Sequence, residues 1–203
     1  MITKNLFIRN LAALLTIYAK LFFNLFKIGN VSNISKRRFI ATRSAKFGIN
    51  VIVETGTYFG HSTIFFSKRF KKVFTIEISE KLFQFVAKKF SKHKNIDNFL
   101  GDSSVVIKEV LNKLDSPAVF FLDGHASGGV TESGDQASPI REELISLATF
   151  KHLTSSIIFI DDAIGFDGTN SYPSYKELVN WCIENKLEVP KIELDMLTIY
   201  PRS

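Results

Sequence analysis

Cysteine is almost absent: Cys182 stands alone in 203 residues. No internal disulfide can form, and the chain suits a reducing compartment. The four histidines have no cysteine partners at metal-binding spacing, so no zinc finger is indicated. No internal repeat and no low-complexity tract is present. Acid is missing altogether from residues 1–53, which carry nine Lys and Arg. Residues 54–203 hold 17 basic and 20 acidic residues, a net charge of −3, so the overall +6 belongs to the N-terminal part. An enzyme of nucleic acid would carry basic residues around its cleft, so no nucleic-acid partner is expected. An uninterrupted apolar run of about 20 residues is also missing, which argues against a spanning helix. Leu11–Ala19 is apolar, but no clear small-residue cleavage site follows it.

The acid-free part has a helical pattern. From Asn5 to Lys27, the polar residues Asn5, Arg9, Thr16, Lys20, Asn24 and Lys27 fall on one narrow arc. Leucine and phenylalanine fill the rest. Two readings follow. The helix lies on an anionic membrane surface, with Lys36-Arg37-Arg38 adding attraction. Alternatively, its apolar face packs on the domain or on a second subunit, as in a homodimer. The expected location is cytoplasmic, peripheral on the inner face of the membrane. The chain divides into a basic helical appendage over 1–48 and a domain over 49–203, and Ser32–Phe47 reads as a second helix.

Within the domain, short β-branched and aromatic runs alternate with amphipathic helices. Strands are expected at 51–53, 73–76, 96–100, 118–122 and 156–160, with a terminal pair at 191–194 and 197–200. The expected fold is α/β: a doubly wound, mostly parallel seven-stranded sheet with helices on both faces. Cys182 lies beside Trp181 in a helical pattern and reads as a buried structural thiol. Ser79 suits a helix N-cap.

Val51-Ile52-Val53-Glu54-Thr55-Gly56-Thr57-Tyr58-Phe59-Gly60 organises the domain. It reads as strand, glycine turn, then a helix from His61, a geometry that brings backbone close to a nucleotide-like ligand. Glu77, 21 residues after Gly56, ends the second strand, where an acid accepts hydrogen bonds from ribose hydroxyls. A dinucleotide site would want G-x-G-x-x-G, which is absent here. The run E-x-G-x-Y-x-G instead resembles motif I of the class I S-adenosylmethionine-dependent methyltransferases, with Tyr58 at the middle-glycine position. The resemblance covers residues 50–203 and implies S-adenosylmethionine held by Glu54, Gly56, Tyr58, Gly60, Glu77, Asp102 and Ser103. Glu54 would then lie near the cofactor's ammonium group, and Asp102 near the adenine amino group. Asp102 also suits the cap of the helix that follows.

Acids stand at five consecutive strand ends: Glu54, Glu77, Asp102, Asp123 and Asp161. On the acceptor side, Asp123, Asp161 and Asp162 repel one another unless a cation or protons compensate. Oxygen ligands suit Mg²⁺ or another divalent cation. The arrangement looks like that of metal-dependent O-methyltransferases, in which a metal orients two acceptor oxygens. His125, two residues past Asp123, is the expected general base. The expected function is O-methylation of a hydroxylated small molecule or glycan precursor, with His125 and Asp123 catalytic. The rivals are an NAD(P)-dependent oxidoreductase and a non-catalytic Rossmann-like module at a membrane surface.

Deleting residues 1–30 is expected to leave the domain folded and to abolish binding to anionic vesicles at low salt. Vesicle flotation of the intact and shortened chains checks this. Binding that survives the deletion would move the membrane contact elsewhere.

Overall fold

The computed structural model describes residues 33–123, 138–168 and 172–202. The amphipathic segment 5–27 and His125 lie outside the described residues. The elements run α1 Asn33–Lys46, β1 Val51–Thr55, α2 His61–Ser67, β2 Lys72–Glu77, α3 Glu80–Phe90, β3 Ile96–Leu100 and α4 Ser103–Asn112. After these come β4 Val119–Leu122, α5 Ile140–Leu147, β5 Ile157–Asp161, α6 Tyr175–Glu184, β6 Lys191–Glu193 and β7 Met196–Ile199.

The strands form one sheet in the order β3-β2-β1-β4-β5-β7-β6. β1 to β5 are parallel, with Ile52 beside both Val73 and Val119 and Val119 beside Ile157. β7 runs antiparallel to β5 and β6, as the sequence suggested. The β6–β7 connection is two residues, Leu194 and Asp195, both at positive φ (51° and 63°). Paired positive φ values are what a tight hairpin turn matched to strand twist requires.

Both faces of the central strands are buried, which is why they read as continuous apolar runs. Alternate residues serve opposite faces. Ile52, Val73, Val119, Ile157 and Phe159 pack with Ile40 of α1 and Phe66 of α2 on one side. Val53, Phe74, Phe120, Ile158 and Ile160 pack with residues of α4, α5 and α6 on the other. Phenylalanine fills much of the first layer through edge-on contacts, with Phe66 5.8 Å from Phe70 and 6.1 Å from Phe121. Such pairs add about 0.5–1.5 kcal/mol each beyond their buried area. Cys182 is fully buried, and burial pushes its thiol up to about 12, the inert structural role expected of it. Ser79 caps α3 by accepting from the Leu82 N–H.

α1 joins this core, although its basic residues suggested a surface role. Its inner face is Lys36, Ile40 and Ser44, at i, i+4 and i+8. Lys36 is only 6% exposed. Its ammonium lies 2.5 Å from Asp161 Oδ1 at the end of β5 and 3.7 Å from Asp195 Oδ2 in the hairpin. Burial would lower the lysine's pKa, but Asp161, with Asp195 and Asp162 behind it, outweighs that and raises it. Arg37 donates from Nε to Ser62 Oγ at 2.7 Å. Of the Lys36-Arg37-Arg38 triplet, only Arg38 is exposed, so Lys36 and Arg37 are not a membrane-facing charge patch.

Removing one partner of a buried pair leaves the other charge uncompensated. Lys36→Ala is therefore expected to destabilise the fold by about 3–5 kcal/mol in urea unfolding. A change below about 1 kcal/mol, the scale of exposed pairs, would show that the pair is solvated in solution.

Candidate functional site

The strand order reverses between β1 and β4, so their carboxyl ends open a crevice, the usual ligand position in such sheets. The turn after β1 lies in it. Gly56 has φ 81°, and a Cβ there would sit 3.4 Å from the carbonyl oxygen of Asp123 and 3.5 Å from its Cβ. The space would admit a Cβ in ordinary contact, so it is the positive φ that calls for glycine here. At Gly60 (φ 72°) a Cβ would come within 2.8 Å of the Phe90 ring, so this glycine sets the packing of α2 on α3.

Tyr58 stands at the middle-glycine position of the motif, and it takes the conformation a glycine would, with φ 49°. A left-handed non-glycine residue costs on the order of 1–2 kcal/mol. It has a visible consequence: the Tyr58 N–H donates to Glu77 Oε2 at 2.7 Å. The Ser79 N–H donates to Glu77 Oε1 at 2.9 Å. Both carboxylate oxygens are thus held by backbone while each keeps capacity to accept again. Glu77 is a rigid acceptor at the end of β2, where a ribose was expected.

Glu54 differs from its expected setting. It lies within β1 rather than just past it, and is 1% exposed. Its Oε2 accepts from Thr63 Oγ1 at 2.5 Å and from Thr75 Oγ1 at 3.2 Å. Burial pushes its pKa up to about 8, against the lowering effect of the two threonines; Asp123 adds to the rise and Arg37 opposes it. Asp102 is exposed and caps α4, its Oδ1 accepting from the N–H and Oγ of Ser104 at 2.9 and 2.7 Å. Ser103 opens that helix.

On the acceptor side the Asp123 N–H donates to Thr55 Oγ1 at 3.2 Å, tying the end of β4 to β1. Asp162 has positive φ (55°), and its N–H donates to Asp161 Oδ1 at 3.0 Å. The three aspartates do not assemble as a metal site: among the described residues no group of three His, Cys, Asp or Glu side chains is placed to hold a metal ion. The ammonium of Lys36 lies against Asp161, so that carboxylate has a counter-charge within the chain.

Three residues of the site escaped the sequence reading. Arg37 of α1 lies near Glu54 at the glycine turn; burial lowers its pKa and Glu54 opposes this. The Tyr172 phenol lies against Ser138, and burial raises its pKa, with Asp162, Asp123 and Asp161 adding to the rise. The third is Glu143 on α5, fully buried, with the hydroxyls of Ser103 and Thr55 placed to hydrogen-bond its carboxyl. Burial pushes its pKa up to about 7; those hydroxyls lower it, while Asp102 and Asp123 raise it further. Periodicity carried the signal for Glu143, because Ile140, Glu143, Leu144 and Leu147 share one helical face.

No family model matches the chain, and no curated protein matches its sequence. Solved structures share its fold. A Staphylococcus aureus protein assigned as a caffeoyl-CoA O-methyltransferase superimposes with a TM-score of 0.56 at 13% identity, over 91% of this chain and 90% of its own. The 23S rRNA methyltransferase ErmE gives 0.51 at 15% identity, over 82% and 68%. A Streptococcus mutans protein described as a methyltransferase, solved with S-adenosylhomocysteine, gives 0.50 at 15% identity, over 85% and 97%. The chain has the fold of the class I S-adenosylmethionine-dependent methyltransferases, as its E-x-G-x-Y-x-G run suggested.

Glu54 folds with its carboxyl neutral up to about pH 8, against an ordinary value of 4.5. Its stabilising contribution is therefore fully present below about 4.5 and is lost as pH rises through about 8. Glu54→Gln keeps an acceptor for Thr63 and Thr75 and cannot ionise. Its melting temperature is expected to fall less than that of the wild type between pH 5 and pH 8. Parallel profiles in the two proteins would assign the titration to another group.

Proposed function

We propose that the protein is an S-adenosylmethionine-dependent methyltransferase acting on a hydroxyl oxygen of a small molecule or glycan precursor. The observation that carries this is Glu77. A carboxylate fixed by two backbone N–H groups at the end of β2, beside a glycine turn at which an added Cβ would touch Asp123, suits the two hydroxyls of a ribose. The residues present fit the cofactor: Glu77 for the ribose, Gly56 and Tyr58 for close backbone approach, and Asp102 and Ser103 at the base end. When bound, the cofactor supplies an electrophilic methyl group on a sulfonium. The protein's part is to align the attacking oxygen, exclude water and accept the hydroxyl proton.

His125 is the residue assigned to that proton, with Asp123 placed at the crevice beside Gly56. The D-G-H sequence at the end of β4 supports this role, and a hydroxyl acceptor follows from it. Asp161, one of the three expected metal ligands, is paired with Lys36, and no step is routed through a metal. An acceptor presented at a membrane surface fits the basic segment 5–27. A dinucleotide-dependent oxidoreductase is disfavoured. G-x-G-x-x-G is absent, and Lys176, which has Tyr-x-x-x-Lys spacing from Tyr172, is exposed on α6.

Glu77→Ala is expected to weaken S-adenosylhomocysteine binding by about 1.5–3 kcal/mol in calorimetry, the scale of a hydrogen bond to a charged group. A melting curve of the variant separates this from unfolding. Unchanged affinity in a folded variant would remove Glu77 from the site. Tight NADH binding without S-adenosylhomocysteine binding in the wild type would overturn the proposed activity.

A further inference from the structure

The mild acidity of residues 54–203 conceals a sharp division. Residues 33–95 carry 14 basic and 3 acidic residues, a net charge of +11, whereas residues 96–203 carry 8 and 17, a net charge of −9. The fold keeps the first set together as β1, β2 and a layer made of α1, α2 and α3. α1 meets α2 through Arg37 and Ser62, and α2 meets α3 where Gly60 approaches the Phe90 ring. Two of the three acids, Glu54 and Glu77, are buried, so Glu80 is the one acid this stretch presents to solvent.

The charge gathers where three turns meet at the amino ends of β1, β2 and β3. The Lys71 N–H donates to the Asn50 carbonyl at 2.8 Å, and the Val73 N–H to the Asn95 carbonyl at 2.8 Å. Asn95 Nδ2 donates to the carbonyls of Ser67 and Phe70 at 2.7 and 3.0 Å. These bonds bring Lys46, Lys68, Lys71, Lys88, Lys92 and Lys94 to one end of the layer, and all six are exposed. Acids from the rest of the chain reach this layer at Lys36, Arg43 and Lys72. Among the described residues, none forms an ion pair with the six lysines. Phe47, next to Lys46, and Phe85, one turn before Lys88 and Lys89, are each 48% exposed.

The geometry points to an anionic lipid bilayer as the partner of this surface, with the α1–α2–α3 layer lying flat on it. Six like charges repel one another, and an anionic surface relieves that repulsion. Exposed phenylalanines among lysines suit the boundary between headgroups and acyl chains. The chain before α1, residues 1–32, carries four Lys and Arg and no acid. It enters α1 at the crevice end, where Lys36 meets Asp161. The 14 residues of α1 then span about 21 Å to the basic turns, so the two basic regions lie at opposite ends of one layer. They act together, since one attachment of this kind is marginal and two give stable binding. A nucleic acid is a poorer occupant. The lysines lie at the edge of the sheet opposite Glu77, Asp102 and Asp123, so a nucleic acid held there would not enter the crevice. The surface is independent of the proposed methyl transfer, and so is its test.

Two variants of the full chain separate local charge from net charge. Lys68→Gln/Lys71→Gln/Lys92→Gln removes three charges from the layer. Lys108→Gln/Lys113→Gln/Lys151→Gln removes three exposed charges from the acidic part. Partition onto vesicles of phosphatidylcholine with about 30% phosphatidylglycerol is measured for both and for wild type. Melting curves confirm that each is folded. The layer variant is expected to bind about fivefold more weakly per lysine, on the order of a hundredfold in all. The second variant is expected to bind within about twofold of wild type, and raising salt is expected to shrink the difference between them. Equal losses in the two variants would assign the effect to net charge and overturn the proposal. So would unchanged binding in the layer variant, or a folded wild type that ignores the vesicles. Tighter binding of a mixed-sequence RNA than of vesicles, lost in the layer variant, would replace lipid by nucleic acid as the occupant and overturn it as well.

Discussion

Desolvation of carboxylates governs this structure. The parallel strands deliver acids to one edge of the sheet, where helices on both faces remove them from water. A charged carboxylate there is stable only if something donates to it. Most of the local architecture at that edge can be traced to how each acid is answered. Thr63 and Thr75 converge on Glu54 from α2 and β2. The left-handed turn at Tyr58 aims an N–H at Glu77. Asp102, the exception, stays exposed and caps α4. α1 is drawn against the sheet so that Lys36 meets Asp161.

These answers are of two physical kinds. Hydroxyls and backbone N–H groups stabilise a carboxylate without cancelling its charge. An ammonium cancels it. The first kind serves β1 and β2, the second serves β5. At β2 the backbone donors leave Glu77 able to accept further hydrogen bonds, whereas burial keeps Glu54 of β1 neutral below about pH 8. At β5 the field is reduced by Lys36, and a second cation there would be opposed by the first. The hairpin shares in the same interaction, since Asp195, at positive φ, has its carboxylate 3.7 Å from the Lys36 ammonium.

Much of this was legible in the sequence. Short runs such as Val51-Ile52-Val53 and Val119-Phe120-Phe121-Leu122 carry their own message, because a strand buried on both faces needs nothing but apolar side chains. Acids directly after such runs mark the functional edge, and glycines spaced around Tyr58 mark the close approach. Compensation was not legible. Lys36 sits in a basic triplet with the composition of a solvated face, and nothing local shows that it inserts beside a carboxylate 125 residues away. Glu143 follows Glu142 in a helix start, where acids ordinarily favour the helix dipole from the surface. Only the period of α1 and α5 hints that these two charges face inward.

The same contrast explains why the two inward charges matter differently. Lys36 and Asp161 satisfy each other, so their pairing is complete within the chain and serves the fold. Glu143 is met instead by the hydroxyls of Ser103 and Thr55, and burial pushes its pKa up to about 7. A sequence selected for stability alone would place leucine or methionine on that face of α5, in line with Ile140, Leu144 and Leu147. The burial of Glu143 is eased by donors that cancel no charge, as that of Glu54 is, and unlike that of Asp161, which has Lys36.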